Sequence, residues 1–462
     1  MEHIHLIGIG GTGLSAIARV LLERGYTVSG SDQNYSPLAE AVDRAGAQVF
    51  VGHAPGQIQD AELVIRSSAV PEDNPEVQAA RGSGIPVLTR KEFLPRLMTD
   101  QQVIAVAGSH GKTTTTAMLA WVLSRLEQDP SFIVGGVVEN LGVNARAGDG
   151  PHFVIEADEY DYMFLGLRPD LALVTNVEHD HPDMFPSPGD FHQAFVDFIA
   201  NLDSRGALIL CGEDPGARAL QLPRPSGQRR YLYGRTKAMD YRVKEPRWVP
   251  GEGMSFELVK HSAVGEVFPV KLSLPGLHNV LNAAGALAAC DVLGLPLSKA
   301  AEALAEFQGS GRRFEILGEY NQVILIDDYG HHPTEIKATL HAARQRFPEQ
   351  RLWVVWEPHT YSRIKTLVDG FAGAFQEADR LLVTKVYAAR EKKPAGFSIQ
   401  DVMDRIAHPA GEYCRSFRDV LQALESRLRP ADVVIVFSAG DAVEINQRLA
   451  DRLQGNSIPE VS

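Results

Sequence analysis

Lys112 and Thr113 follow a turn of small residues, Ala107-Gly108-Ser109-His110-Gly111. That turn joins an apolar run at residues 103–106 to a helical pattern carrying Met118, Leu119, Trp121, Val122 and Leu126. A strand, a glycine turn, Lys-Thr and a helix, in that order, make a phosphate-binding loop. N–H groups freed at a helix N-terminus point at an anion, and glycines let the backbone come close. Gly108, Ser109, His110, Gly111 and Thr114 form the loop, Lys112 reaches the terminal phosphates of ATP, and the Thr113 hydroxyl ligates the accompanying Mg²⁺. The fit to G-x-x-x-x-G-K-[ST] is imperfect, because Val106 stands where the pattern has its first glycine.

Two acidic clusters follow apolar strands that are expected beside this loop in one sheet. Glu156-Ala157-Asp158-Glu159-Tyr160-Asp161 ends the strand at 153–155, and Asn176-Val177-Glu178-His179-Asp180-His181 ends the strand at 171–174. Mg²⁺ prefers hard oxygen ligands and keeps some of its waters, so one carboxylate with a hydroxyl and phosphate oxygens is a sufficient set. His179 and His181 read equally well as ligands or as hydrogen-bonded structural residues. Near the N-terminus, Gly8-Ile9-Gly10-Gly11-Thr12-Gly13 spells G-x-G-x-x-G between a strand and an amphipathic helix, and Asp32 ends the next strand. That layout suits a nucleotide or sugar nucleotide, with the acid on a ribose hydroxyl. Ser67 and Ser68, just beyond a further strand, either touch a phosphate or serve a turn.

In the last third, four strands end in polar or ionisable groups. These are Asp327-Asp328-Tyr329-Gly330-His331-His332, Glu357-Pro358-His359-Thr360-Tyr361-Ser362-Arg363, Lys385-Val386-Tyr387 and Ser438-Ala439-Gly440-Asp441. Groups at the carboxyl ends of parallel strands gather along one sheet edge, either as a ligand site or simply solvating their loops. Asn279 and Asn282 stand three apart at the start of a helix and share a face. Their amides either contact an adenine edge or cap the helix.

The elements that position these groups are an alternation of strands and helices. At 462 residues the chain exceeds one core and points to about three domains. The net charge of -13 gives nucleic-acid binding no support. Three cysteines without metal spacing fit a reducing compartment, and no run reaches membrane-spanning length, so a cytoplasmic protein without membrane insertion is expected. Residues 223–230 read as loop, 241–270 as irregular antiparallel strands, and the tail after 453 as frayed.

Taken together, the segments GIGGTGLSAIA, SGSD, RSSAV, AVAGSHGKTTTT, SFIVGG, EADEYD, TNVEHDH, LPGLHNVLNA, GRRFE, DDYGHHPTEI, PHTYSR and VYAARE resemble the Mur ligases, in the family's order over nearly the whole chain. The resemblance implies an α/β protein of three domains. These are a Rossmann-like UDP-sugar-binding domain at 1–99, a P-loop ATPase-type domain at 100–311, and a C-terminal Rossmann-like α/β domain at 312–462 that closes over the site. It implies an ATP-dependent ligase that activates the carboxylate of UDP-N-acetylmuramate as an acyl phosphate and joins it to L-alanine, in a monomer or weak homodimer.

Residue by residue, the resemblance makes Gly10, Gly11, Thr12, Gly13, Asp32, Ser67 and Ser68 contacts of the UDP-sugar. Glu156 and His181 become ligands of a second Mg²⁺, and His278, Asn279, Asn282 and Arg313 become nucleotide contacts. Asp328, Tyr329, His331, His359 and Arg363 become the C-terminal contribution to amino-acid and phosphate binding. Arg363 suits a carboxylate because its fork grips at two points, and His331 or Asp328 takes the amine proton. Ser109, Glu357, Thr360 and Lys385 depart from the family's usual residues, the last three near the expected amino-acid pocket. The alternatives are a recycling ligase that attaches a preformed peptide to the same UDP-sugar, a nicotinamide-dependent dehydrogenase, and a nucleotide-binding regulator without turnover.

Overall fold

Three sheets follow one another along the chain. The structure, a computed structural model, describes residues 2–222, 227–261 and 265–455.

The first sheet is wholly parallel, in the order Gln48–Val51, Thr27–Asp32, His3–Ile7, Leu63–Arg66, Val87–Thr89. Strand order reverses between His3–Ile7 and Leu63–Arg66, which opens a crevice at their carboxyl ends. The glycine loop leaves the first of these strands and Ser67 follows the second. Helix Thr12–Glu23 buries Leu14, Ile17, Val20 and Leu21 against this sheet. The strand Gln48–Val51 and the helix Pro37–Arg44 had no clear signal in the sequence. That strand is a four-residue sheet edge whose side chains are half-buried or exposed, so it needs no long apolar run.

The second sheet has ten strands. Its parallel centre contains Leu171–Val174, Gln102–Ala107 and His152–Glu156 side by side, so both acidic clusters leave strands that flank the phosphate-loop strand. Val103 to Ala107 are all buried, as expected of a parallel strand covered on both faces. The loop helix Lys112–Arg125 buries Met118, Leu119, Val122 and Leu123 completely. Each such side chain contributes about 1.5–3 kcal/mol by leaving water. Tyr241–Val249, Gly253–Lys260 and Glu266–Leu272 form an antiparallel flank, with residues 262–264 outside the described part.

The loop expected at 223–230 is only partly tested, since 223–226 lie outside the described residues. Arg229–Gly234 is a strand, not loop, and pairs in parallel with Ala207–Cys211. Its two arginines hid the pattern, which resumes with Tyr231, Leu232 and Tyr233, the last of these buried.

The third sheet runs Glu315–Tyr320, Val323–Asp328, Val433–Phe437, Leu352–Trp356, Arg380–Val383, Gly411–Tyr413, parallel except for its first strand. Trp353 and Trp356 lie fully buried on opposite faces, in separate clusters. The final helix ends at Leu453, and 456–462 lie outside the described residues. Among the described residues no helix is long and apolar enough to cross a membrane.

Candidate active site

The phosphate loop is strapped to the exit of the neighbouring strand Leu171–Val174. The His110 N–H donates to Asn176 Oδ1 at 2.8 Å, Thr175 Oγ1 donates to the His110 carbonyl at 2.6 Å, and Ser109 Oγ donates to the Glu178 carbonyl at 2.6 Å. Gly111 has φ +79°, a left-handed conformation that favours glycine. A Cβ there would meet Asn282 Oδ1 at 2.6 Å, so the loop passes directly against the helix Leu277–Val292.

Lys112 Nζ lies 2.8 Å from Glu159, which is fully buried. Burial opposes the lysine's charge, but Glu159, Asp158 and Glu156 together hold its pKa above the ordinary value. Burial pushes the Glu159 carboxyl up, against the pull of Lys112. Next to them, Thr113 Oγ1 donates to Glu156 Oε1 at 3.0 Å, and Glu156 Oε2 accepts the Gly135 N–H at 2.7 Å. A Cβ on Gly135 would meet that carboxylate at 2.6 Å, so Gly135 is what allows the strand Ser131–Val138 this close. A hydroxyl and a carboxylate side by side at the loop helix are hard-oxygen donors of the kind Mg²⁺ takes. His181, at φ +51°, has Nε2 3.7 Å from Glu159 Oε1. His179 instead contacts the Phe185 carbonyl through Nε2 at 2.8 Å, the structural one of its two readings.

The third sheet reaches the same place. Arg363 is buried, donates from Nε to Asp180 Oδ1 at 2.8 Å, and has Nη1 2.7 Å from His359 Nδ1. Burial works against the Asp180 carboxylate, but Arg363, His181 and His331 hold its pKa well below the usual range. His331 has Nδ1 3.0 Å from the Tyr329 carbonyl, so Nε2 is its acceptor nitrogen, 3.9 Å from Asp180 Oδ2. Burial, and then Arg363, keep that imidazole neutral. Burial and Arg363 likewise push His359 down to about 4. Both Arg312 and Arg313 lie 5.0 Å from the Tyr329 ring centroid, a cation–π contact on each.

A cavity of about 760 Å³ collects these groups: Thr12 from the first sheet, Lys112, Thr113, Glu156 and His181 from the second, and Tyr329, His331, His359 and Arg363 from the third. A second cavity, of about 210 Å³, shares Gly111 and Thr113 with the first and is lined by Thr114, His278, Asn279, Asn282 and Arg313. There Asn282 Nδ2 lies 3.4 Å from Asn279 Oδ1, Asn279 Nδ2 donates to the Pro275 carbonyl, and burial lowers His278 to about 4. Arg313 lines both spaces.

Some expected residues sit elsewhere. Asp328 lines the smaller cavity rather than joining His331 and Arg363, and its oxygens accept the N–H groups of Phe314 and Gly330. Burial raises it to about 6, and its geometry is that of a backbone clamp. Gly10 donates its N–H to Asp32 Oδ2 at 2.9 Å, and Gly13 lies against Arg90, so these residues define the crevice of the first sheet. Gly11 donates its N–H to the Gly8 carbonyl and its own carbonyl accepts the Ser15 N–H, and Ser67 Oγ accepts the Ala69 N–H in a turn while Ser68 is exposed. Of the departures, Glu357 is buried under a hydrogen bond from Ser438, Thr360 stands at φ +56° just before the helix Tyr361–Ala372 without a side-chain bond to the helix N–H groups, and Lys385 is exposed over Phe417.

Sequence reasoning assigned no role to Asp180, Glu159, Glu178 or Glu335. Asp180 and Glu159 stood in the two acidic clusters. Glu335 stands three residues after His332, at the spacing of a capping box, which its side chain completes.

Family models match the chain in three segments: the Mur ligase family catalytic domain at residues 3–102, the Mur ligase middle domain at 106–290, and the Mur ligase glutamate ligase domain at 312–440. The UDP-N-acetylmuramate--L-alanine ligase of Nitratidesulfovibrio vulgaris is 42% identical over 451 residues, covering 96% of this chain and 97% of its own. The ligase of the same name from a Geobacter species is 42% identical over 457 residues, covering 98% of each. Among solved structures, the UDP-N-acetylmuramate-alanine ligase MurC of Thermotoga maritima superposes with a TM-score of 0.82 at 29% identity, over 99% of this chain and all of that one. The murein peptide ligase of Psychrobacter arcticus gives 0.73 at 28% identity, over the whole of both chains.

Proposed function

The chain belongs to the Mur ligase family, and from that premise we propose that it joins L-alanine to the carboxylate of UDP-N-acetylmuramate at the expense of ATP, through an acyl phosphate. The observation that carries this reading is the single cavity in which Lys112, Thr113 and Glu156 face His331, His359 and Arg363. A phosphoryl-transfer apparatus and a carboxylate-binding cation thus share one space. The dehydrogenase reading leaves that apparatus without a purpose.

In this mechanism the UDP-sugar lies in the crevice of the first sheet, with its glycine loop delivering Thr12 to the cavity edge. The nucleotide lies across Gly111, its base by His278, Asn279 and Asn282. The muramoyl carboxylate attacks the terminal phosphorus and ADP leaves. Such transfers depend on positioning and charge neutralisation, and Lys112 supplies the fixed cation. Thr113 would hold the Mg²⁺ that accompanies ATP, and Glu156 with His181 a second Mg²⁺; bound there, the ions would neutralise charge on the phosphate oxygens.

The alanine carboxylate meets Arg363. Asp180 takes the Nε–H and His359 an Nη1 proton, so the fork is oriented while N–H groups remain on both terminal nitrogens. The alanine amine attacks the acyl carbon, phosphate leaves from the tetrahedral intermediate, and His331 Nε2 takes the amine proton. The proposed domain limits are 1–99, 100–311 and 312–462, each segment holding one of the three sheets.

The test is mass spectrometry of the product after incubation with ATP, Mg²⁺, UDP-N-acetylmuramate and equimolar L-alanine and alanyl-glutamyl-diaminopimelate. The alanyl product should dominate. Predominance of the tripeptide adduct would make this a peptide-recycling ligase.

A further inference from the structure

We infer that Glu335 is a positioning residue that ties the phosphate loop to the third sheet through His110, so that groups from both sides act on one phosphate in fixed relation. The inference rests on the ATP reading of the phosphate loop given above.

His110 is a loop residue whose ring faces a carboxylate at each nitrogen. Nε2 lies 3.0 Å from Glu178 Oε2, on the loop's own sheet, and Nδ1 lies 3.3 Å from Glu335 Oε1, on the helix Pro333–Arg346 of the third sheet. Both His110 and Glu335 side chains are only 12% exposed, so water screens the pair little. Burial opposes the charge of His110, yet the two carboxylates push it up to about 10, an imidazolium at neutral pH.

Glu335 does more than pair with His110. Its Oε1 also lies 3.5 Å from Arg313 Nη1, and its Oε2 accepts the His331 N–H at 3.1 Å. One carboxylate therefore joins the phosphate loop, the arginine that lines both cavities, and the segment bearing His331. A second strap runs parallel to it, Thr334 Oγ1 donating to Glu178 Oε1 at 2.8 Å.

The loop backbone does not need Glu335 to keep its shape. Asn176, Thr175 and Glu178, all on the same sheet as the loop, hold its N–H, hydroxyl and carbonyl groups. Nucleotide affinity should therefore survive loss of the Glu335 charge, while the alignment of the third-sheet groups with the bound phosphate should not. A misplacement of about 1 Å at a reacting centre costs on the order of 100-fold in rate. That separates this role from simple nucleotide binding.

Glu335→Gln is the discriminating variant, because an amide oxygen keeps the helix cap while the charge is lost. His110→Gln removes the other charge and keeps a donor. Each should lower kcat at least tenfold, change the calorimetric Kd for ATP less than threefold, and leave the circular dichroism spectrum and Tm near the parent's. The double variant should be no slower than the slower single, since both break one link. Glu335→Gln with kcat within twofold of the parent, losses that multiply in the double variant, or a Kd for ATP that rises as kcat falls would each overturn the inference. If the parent enzyme binds no ATP, the reading beneath it falls as well.

Discussion

Arg363 Nε and Asp180 Oδ1 stand 2.8 Å apart across 183 positions of sequence, a buried ion pair that joins the third sheet to the second at the mouth of the candidate site. The pair sets the orientation of the only arginine among those expected to receive the amino-acid carboxylate. Asp180 Oδ1 also accepts the His181 N–H at 2.7 Å, so on the proposed reading Asp180 positions both the arginine for the amino acid and an expected metal ligand.

Asp180→Asn should raise the KM for alanine and lower Tm, because it leaves Arg363 buried without its counter-charge. Breaking one partner of such a pair costs about 3–5 kcal/mol. The pH dependence follows from the direction of the shift. The folded-state pKa of Asp180 is well below its unfolded value, so its stabilisation is full above about pH 4 and is lost as pH falls through the folded value. Acid unfolding monitored by circular dichroism should show a shallower acid limb in Asp180→Asn than in the parent. Parallel acid limbs would remove Asp180 from this role.

Arg363→Lys should raise the KM for alanine far more than the KM for ATP. An ammonium cannot hold Asp180, His359 and a carboxylate together, having no planar fork. Steady-state kinetics with each substrate varied in turn would show it, and equal effects on both KM values would count against a carboxylate grip. Selectivity for alanine over glycine should stay modest, since one methyl group is worth about 1–3 kcal/mol.

Lys112→Ala should abolish ATP-dependent turnover while UDP-N-acetylmuramate still binds. Lys112 belongs to the second sheet, and the crevice around Gly10, Gly13 and Asp32 belongs to the first. Calorimetric titration of the variant with the sugar nucleotide tests the separation. Loss of that binding in a folded variant would refute it.

His181→Ala should slow catalysis and raise the Mg²⁺ concentration needed for half-maximal rate, since few protein groups hold the ion. A Mg²⁺ titration of initial rates that superposes on the parent's would return His181 to a structural role beside Tyr160 and Asp180.

Local pattern carried much of the fold. The phosphate-loop strand and helix are contiguous and strongly apolar, and both acidic clusters were visible as strand ends because parallel strands place their carboxyl ends together. What stayed hidden depends on distant pairing. Asp180 and Glu335 acquire their partners, Arg363 and His110, only when separate sheets meet, and no spacing within the chain records that. Glu159 looked like one acid among four until burial beside Lys112 set it apart. Asp328 shows the opposite case. Its position at a strand end suggested chemistry, whereas two backbone N–H groups take its oxygens. The strand Arg229–Gly234 was masked by the two arginines at its start, the first exposed and the second half-buried, before the pattern turns apolar.

The central claim is that the carboxylate of the sugar is activated by attack on the terminal phosphorus of ATP. It is tested most directly by carrying out the reaction with UDP-N-acetylmuramate labelled with oxygen-18 in that carboxylate. The account predicts ADP and inorganic phosphate as products, with one labelled oxygen in the phosphate. Release of AMP and pyrophosphate with the label in AMP, or phosphate free of label, would contradict it.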